Sequence, residues 1–197
     1  MADYTARATV KEYVGIPDAT TTDDDQIDAA ISAAESRIDK YTGRTFVVPT
    51  GTSTRSVRPW SSATVISPAE IAQTTGLAVA VDTTDDGTFD TALTSADWFV
   101  GPGDVAPFTE LTRFNGRWPT PASGRATVEI TAWFGYGMAV PAAVTQAATM
   151  MAARLYLRHA SPLGFESGSS EFGPVRVGRV DPDIAALLVG YRILAVA

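Results

Sequence analysis

The sequence contains no cysteine, which excludes disulfide staples and thiolate metal sites and leaves the redox compartment open. It has one histidine, His159, so a histidine-rich zinc site or any other mechanism needing two imidazoles is excluded. Lysine is scarce: of 15 basic residues only Lys11 and Lys40 are lysines, and the net charge is -7. A protein that grips nucleic acid by neutralising phosphates carries a basic face, and none is visible here. An acidic wall repels phosphates and would let DNA pass without holding it, although the same charge also serves ordinary solubility. No G-x-S-x-G, Walker-type phosphate loop or G-x-G-x-x-G occurs. The opening MADYTARATVKEYVG lacks a basic region followed by an apolar run, so no signal peptide is expected.

What remains is 197 residues, 45% of them hydrophobic, enough for one sizeable domain or a small core with an insertion. Residues 141–158, PAAVTQAATMMAARLYLR, organise the rest. Pro141 stands where proline is tolerated at the first helical position, and helix-favouring residues without glycine follow. Val144, Ala148, Met151 and Leu155 line one side, while Ala143, Ala147, Met150 and Leu157 lie on others. A helix apolar nearly all round is buried by neighbours on several sides. Gln146 and Arg154 interrupt the run before the ~20 apolar residues a membrane span needs. This reads as the spine of a helical core whose alanines admit close neighbours.

Two shorter helices precede it. Thr9 and Glu12 have capping-box spacing, Val10, Tyr13 and Val14 give an apolar side, and Gly15-Ile16-Pro17 ends the first. Asp23 and Gln26 mark the start of the second, Ile27, Ala30, Ile31, Ala34, Ile38 and Tyr41 form its stripe, and Gly43 follows as its stop. The acidic run Asp23-Asp24-Asp25 invites a cation, but carboxylates at the positive end of a helix are the simpler reading. A last helix starts at Asp181-Pro182, with Ile184, Leu187, Leu188 and Tyr191 as its stripe.

Between residues 45 and 136 glycine, proline, serine and threonine become frequent and apolar runs shorten. Residues 46–48, 64–66, 77–81, 98–100 and 127–133 read as strands, and in the last Val128, Ile130 and Ala132 alternate with a wetter face. Asp85-Asp86-Gly87 signals a turn between strands. The carboxylates of residues 82–90 lack the D-x-D-x-D-G pattern of a calcium loop, so a hairpin turn is preferred. Trp60, Trp98, Trp118 and Trp133 either line a sugar groove or fill the core of a small sheet, the second being the commoner use of tryptophan. Paired carboxylates for glycoside chemistry are not readable from sequence, because their pairing is spatial. His159 at a helix end beside Arg158 suits the helix dipole better than general-base work.

Two stretches are greasy without a stated use. Residues 161–180, SPLGFESGSSEFGPVRVGRV, place Phe165 and Phe172 in a polar loop and finish on the alternating Val175-Arg176-Val177 and on Val180. They either tuck against their own core or form an arm that pairs with a neighbouring chain. Ile193-Leu194-Ala195-Val196-Ala197 is apolar with no charged side chain after Arg192, and either packs home or plugs into a partner.

The order of these pieces resembles a known family. A short helix ending Gly-Ile-Pro leads to TDDDQIDAAISAAESRIDKYTGRTF and then a β excursion closing with NGRWP and VEITAWFGYGMAVP. The spine helix, SPLGF and VRVGRVDPDIAALLVGYR follow. Over residues 8–48 and 113–192 this resembles the head–tail adaptor (connector) proteins of tailed bacteriophages. Residues 51–107 are longer and richer in β signals than that family's compact pattern.

The residue pattern and the helical bundle of that family together give the expected α+β fold: a small helical bundle of about four helices with a β-rich insertion, read from the residues, between the second helix and the long central one. The expected divisions are 1–44 for the first helices, 45–136 for the insertion, 137–160 for the central helix, 161–180 for a loop or arm, and 181–197 for the last helix and tail. The resemblance implies a non-enzymatic virion protein at the neck, made in the host cytoplasm, with no cofactor, metal or membrane. Such proteins form a homo-oligomeric ring of about twelve copies between the portal protein and a downstream connector, stopper or tail protein. DNA passes through the lumen without specific binding. Leu188, Tyr191, Ile193, Leu194 and Val196 are then the expected portal-facing residues, and Phe165, Phe172, Val175, Val177 and Val180 the expected inter-subunit arm. A stopper or tail-completion protein, and a carbohydrate-binding or hydrolytic module on the β insertion, are the alternatives.

Overall fold

The structure is a computed structural model that describes residues 4–60, 63–114, 116–159 and 181–193. The fold is α+β, and the chain divides into two compact units, one from residues 1–46 and 140–197 and one from residues 47–139.

The first unit is helical, with α1 (Arg7–Val14), α2 (Asp24–Thr42), α3 (Ala142–His159) and α4 (Pro182–Leu188), the last continuing into a 3-10 turn at Val189–Tyr191. α3 packs against all three of the others. Its Val144, Ala147, Ala148, Ala152 and Ala153 are buried on more than one side, which only small side chains permit at close helix–helix distance. The α2 stripe Ile27, Ala30, Ile31, Ala34 and Ile38 is buried as its three-and-four spacing requires.

Both helix stops fall on glycine in the left-handed region, Gly15 at φ 76 and Gly43 at φ 70. The starts differ from the capping boxes expected. Thr9 lies inside α1, whose N-cap is Ala6 with no side-chain cap. Asp23 is the N-cap residue of α2, yet its carboxylate accepts from the Tyr156 hydroxyl on α3 at 2.9 Å instead of capping the helix. A tertiary partner has displaced the local one. Asp181 does cap α4, accepting from the Asp183 N–H at 2.9 Å with Pro182 in the first turn. Pro141 stands just ahead of α3, and its carbonyl accepts from the Val144 and Thr145 N–H groups.

Buried polar groups tie these helices together. Lys11 is 2% exposed; its ammonium meets Asp24 Oδ1 at 2.5 Å and donates to the carbonyls of Thr20 and Asp18 at 2.7 and 3.1 Å. Glu35, also buried, accepts from the Tyr4 N–H at 2.8 Å. The Tyr4 hydroxyl donates to Asp39 at 2.6 Å and accepts from the Phe46 N–H at 2.7 Å. Thr5 and Thr149 share a hydroxyl–hydroxyl bond at 2.7 Å.

The second unit is a pair of antiparallel sheets. One has the order β1 (Ser53–Val57), β7 (Val128–Phe134), β3 (Ile71–Val81), β4 (Thr91–Leu93); the other has β2 (Val65–Ile66), β6 (Glu110–Arg113), β5 (Trp98–Gly101). β1, β4 and β6 lie outside the expected strands, and residues 46–48 form none. The inward residues of both sheets build one core: Val79, Val81, Val128, Ile130 and Ala132 from the first, Ile66 and Leu111 from the second, with Ile71, Phe108 and Trp118. The β7 alternation holds, except that Thr127 is buried and donates its hydroxyl to the Pro119 carbonyl at 2.6 Å. Gly135 is required where it stands, since a Cβ there would lie 3.1 Å from Pro49 Cδ and 3.3 Å from the Val47 carbonyl oxygen.

Candidate functional site

The carboxylates that suggested a cation loop each have another task. Asp82 is buried and accepts from the N–H groups of Thr84, Asp85 and Gly87 at 3.0, 2.7 and 2.7 Å, closing the β3–β4 turn from inside. Those N–H bonds outweigh its burial and hold its carboxyl below the usual range. Asp85, at φ 60, accepts from the Ser123 N–H and hydroxyl at 2.6 and 2.5 Å. Among the described residues no group of three or more metal-ligating side chains gathers, and no helix is long and apolar enough to cross a membrane.

The tryptophans do not form a groove. Trp118 is 1% exposed, and its indole N–H donates to the Thr64 carbonyl at 2.9 Å, so it is core. Trp98 packs against the same core. Trp60 is 88% exposed beside a shallow cleft with Val57, Arg58 and Val65. His159 is the last residue of α3.

The expected portal-facing residues are placed unequally. Leu188 is fully buried within the helical unit, because the α4 stripe turns towards α3, and so offers no surface to a partner. Tyr191 is half-buried, its ring edge-on to Phe46 at 5.7 Å, and Phe46 in turn meets Tyr4 edge-on at 5.8 Å. Arg192 lies over the Tyr41 ring at 4.9 Å, and the Ile193 N–H donates to the Thr42 carbonyl at 2.8 Å. The chain thus returns to the end of α2 as far as Ile193, satisfying a carbonyl that the helix end leaves open. Ile193 and its unforeseen neighbour Val189 remain 51% and 62% exposed. Leu194, Val196 and the whole arm set Phe165, Phe172, Val175, Val177 and Val180 lie outside the described residues.

The β unit carries a surface that the sequence reading missed. On β6, Leu111 faces the core, so Glu110, Thr112 and Phe114 fall on the outer side. Val65 on β2 and Phe99 on β5 both stand opposite Thr112. Val65, Phe99 and Phe114 are 42%, 44% and 55% exposed, and the two phenylalanine rings lie 5.0 Å apart. The outer side of the other sheet carries Thr54, Thr131, Ala78, Ala80 and Glu129, with the half-buried Trp133 towards one end.

No protein-family model and no curated protein matches this sequence. Solved structures do match in fold. A chain of the neck of an empty gene transfer agent (GTA) particle, computed with C6 symmetry, aligns at TM-score 0.58 and 20% identity, over 98% of this chain and 92% of its own. A chain from the neck of the native particle, computed with C12 symmetry, aligns at 0.56 and 20% identity, over 100% of this chain and 94% of its own. A third, from the virion of the native particle, aligns at 0.55 with the same identity and coverage as the second. This chain therefore shares its fold, helical and β parts together, with chains of those particles.

Proposed function

We propose that this chain is a non-enzymatic structural protein of a phage-type neck, a head–tail adaptor that closes into a ring between a portal and the next connector, stopper or tail protein. The observation that carries this reading is a fold shared over nearly its whole length with chains from GTA necks, one of them computed with C12 symmetry. The sequence order of the helical pieces points the same way. A ring follows when one patch of a subunit binds a different patch of the next and the rotation closes. The acidic balance suits a conduit that lets DNA slide for packaging, retention and ejection. Carbohydrate binding loses its support with Trp118 enclosed in the core.

In this reading the portal contact is made by the exposed Val189 and Ile193 together with residues 194–197. Mass measurement of the purified protein alone and with the portal of the same particle tests it; a ring bound to the portal is expected. A variant lacking residues 193–197 should keep its fold and lose the portal. Binding unchanged by that truncation would remove the assignment of the tail, and absence of any portal complex for the full chain would remove the adaptor reading.

A further inference from the structure

The outer side of the β2–β6–β5 sheet has a definite chemical layout. β5 is an edge strand. Its outward positions are the exposed Phe99 and the buried Gly101, and Asp97 just before the strand shares their parity. Glu110 stands opposite Gly101, with Oε2 3.8 Å from where a Gly101 Cβ would be. Asp97 lies beside Phe114, whose N–H donates to the Asp97 carbonyl at 2.9 Å. The face is therefore apolar in the middle, with Glu110 at one end and at the other Asp97, whose Oδ2 also accepts from the Thr94 N–H and hydroxyl at 2.8 and 2.7 Å. Asp97 to Gly101 spans about 13 Å along the strand.

One segment of this chain outside the described residues has the complementary layout. Val175-Arg176-Val177-Gly178-Arg179-Val180 contains valines and arginines and no acid. In an extended conformation Val175, Val177 and Arg179 share a side over the same span of about 13 Å. Two valines then meet the phenylalanines while the arginine meets a carboxylate. The segment is tethered to the helical unit, because Asp181, next to Val180, pairs with Arg154 of α3.

We propose that residues 175–180 of one copy add as a strand to the β5 edge of the next copy, over Phe99 and Phe114, with arginine against Asp97 or Glu110. This rests on the ring reading above and specifies which patch meets which. Main-chain bonds to an open edge supply affinity, and alternate side chains supply register.

The absence of cysteine makes the test clean. The full chain carrying Val177→Cys and Phe99→Cys is oxidised at ring-forming concentration and run without reductant. A ladder of disulfide-linked oligomers is expected, and a Val177→Cys, Thr54→Cys control on the other sheet should give none. No ladder, or a link within single chains only, overturns the proposal. Phe99→Asp with Phe114→Asp should leave the circular dichroism unchanged and weaken self-association by roughly tenfold or more. Asp97→Lys with Glu110→Lys should weaken it about three- to fivefold, and adding Arg179→Glu should restore part of it. A ring that forms unchanged in these variants sinks this contact and leaves the ring reading standing; failure of the unmodified chain to form a ring or bind a portal sinks that reading by itself.

Discussion

The two units hold together by different chemistry. The helical unit buries charge: Lys11 against Asp24 and Glu35 against the Tyr4 N–H are enclosed, and a half-buried Asp39 accepts from the Tyr4 hydroxyl. The β unit buries volume: ten apolar side chains form one cluster, and its buried carboxylate, Asp82, only closes a turn. Small alanines let the helices approach closely but fill little space, so register falls to the polar contacts. Wide sheets need filling, and Trp118, Phe108 and Ile130 provide it. Damage should therefore follow volume in one unit and pairing in the other.

Trp118→Ala carries the largest expected effect. It removes a fully buried indole and leaves the Thr64 carbonyl with only the Arg113 N–H as donor. The cost is about 3–5 kcal/mol, read as a lower denaturation midpoint and faster amide exchange in residues 47–139. Trp60→Ala, at an 88% exposed position, should cost almost nothing. Equal costs at the two sites would break the account of the β core.

Lys11→Met comes next and sharpens the other half. The volume is kept, but Asp24 loses a 2.5 Å partner and two carbonyls lose their donor. Arg7 still pairs with Asp24 at 2.7 Å, which limits the loss. A destabilisation of about 2–4 kcal/mol is expected by chemical denaturation. If the methionine variant were as stable as the parent, the helical unit would be held by apolar packing like its neighbour.

The same contrast explains what sequence could show. The α2 stripe, its glycine stop, the Asp181-Pro182 start and the spine at α3 were legible because they are written in local period and capping chemistry. The Asp23 carboxylate was misread because its partner, Tyr156, is 133 residues away. Strand β1, STRSV, has no apolar alternation because it is an exposed edge, and β6 is only four residues long. The Phe99–Phe114 face depends on the pairing of β5 with β6, which no periodicity within either strand encodes. Leu188 shows the converse: its place on an apolar stripe was readable, but whether that stripe met its own bundle or a partner was settled only by packing.

The smallest expected effect concerns Asp39, and its sign separates charge burial from hydrogen bonding. Burial pushes the Asp39 carboxyl above its ordinary 3.8, and the Tyr4 hydroxyl bond only partly opposes this. A carboxyl whose folded pKa is raised binds its proton more tightly in the native state. Its contribution is most favourable at low pH and is lost as pH rises through the folded value. Asp24, Asp82, Asp85 and Asp97 are shifted the other way; their contribution is present above the unfolded pKa and lost as pH falls through the lower folded one. The parent should therefore lose stability in acid, with Asp39 blunting that loss. Asp39→Asn keeps an oxygen acceptor for the Tyr4 hydroxyl and removes the ionisation. Against the parent it should be slightly more stable at neutral pH, with the gain disappearing as pH falls and Asp39 takes up its proton, measured by urea denaturation across pH. A variant less stable than the parent at neutral pH would mean that the ionised carboxylate strengthens the Tyr4 bond by more than its burial costs, and that the charge buried in this helical unit stabilises it there.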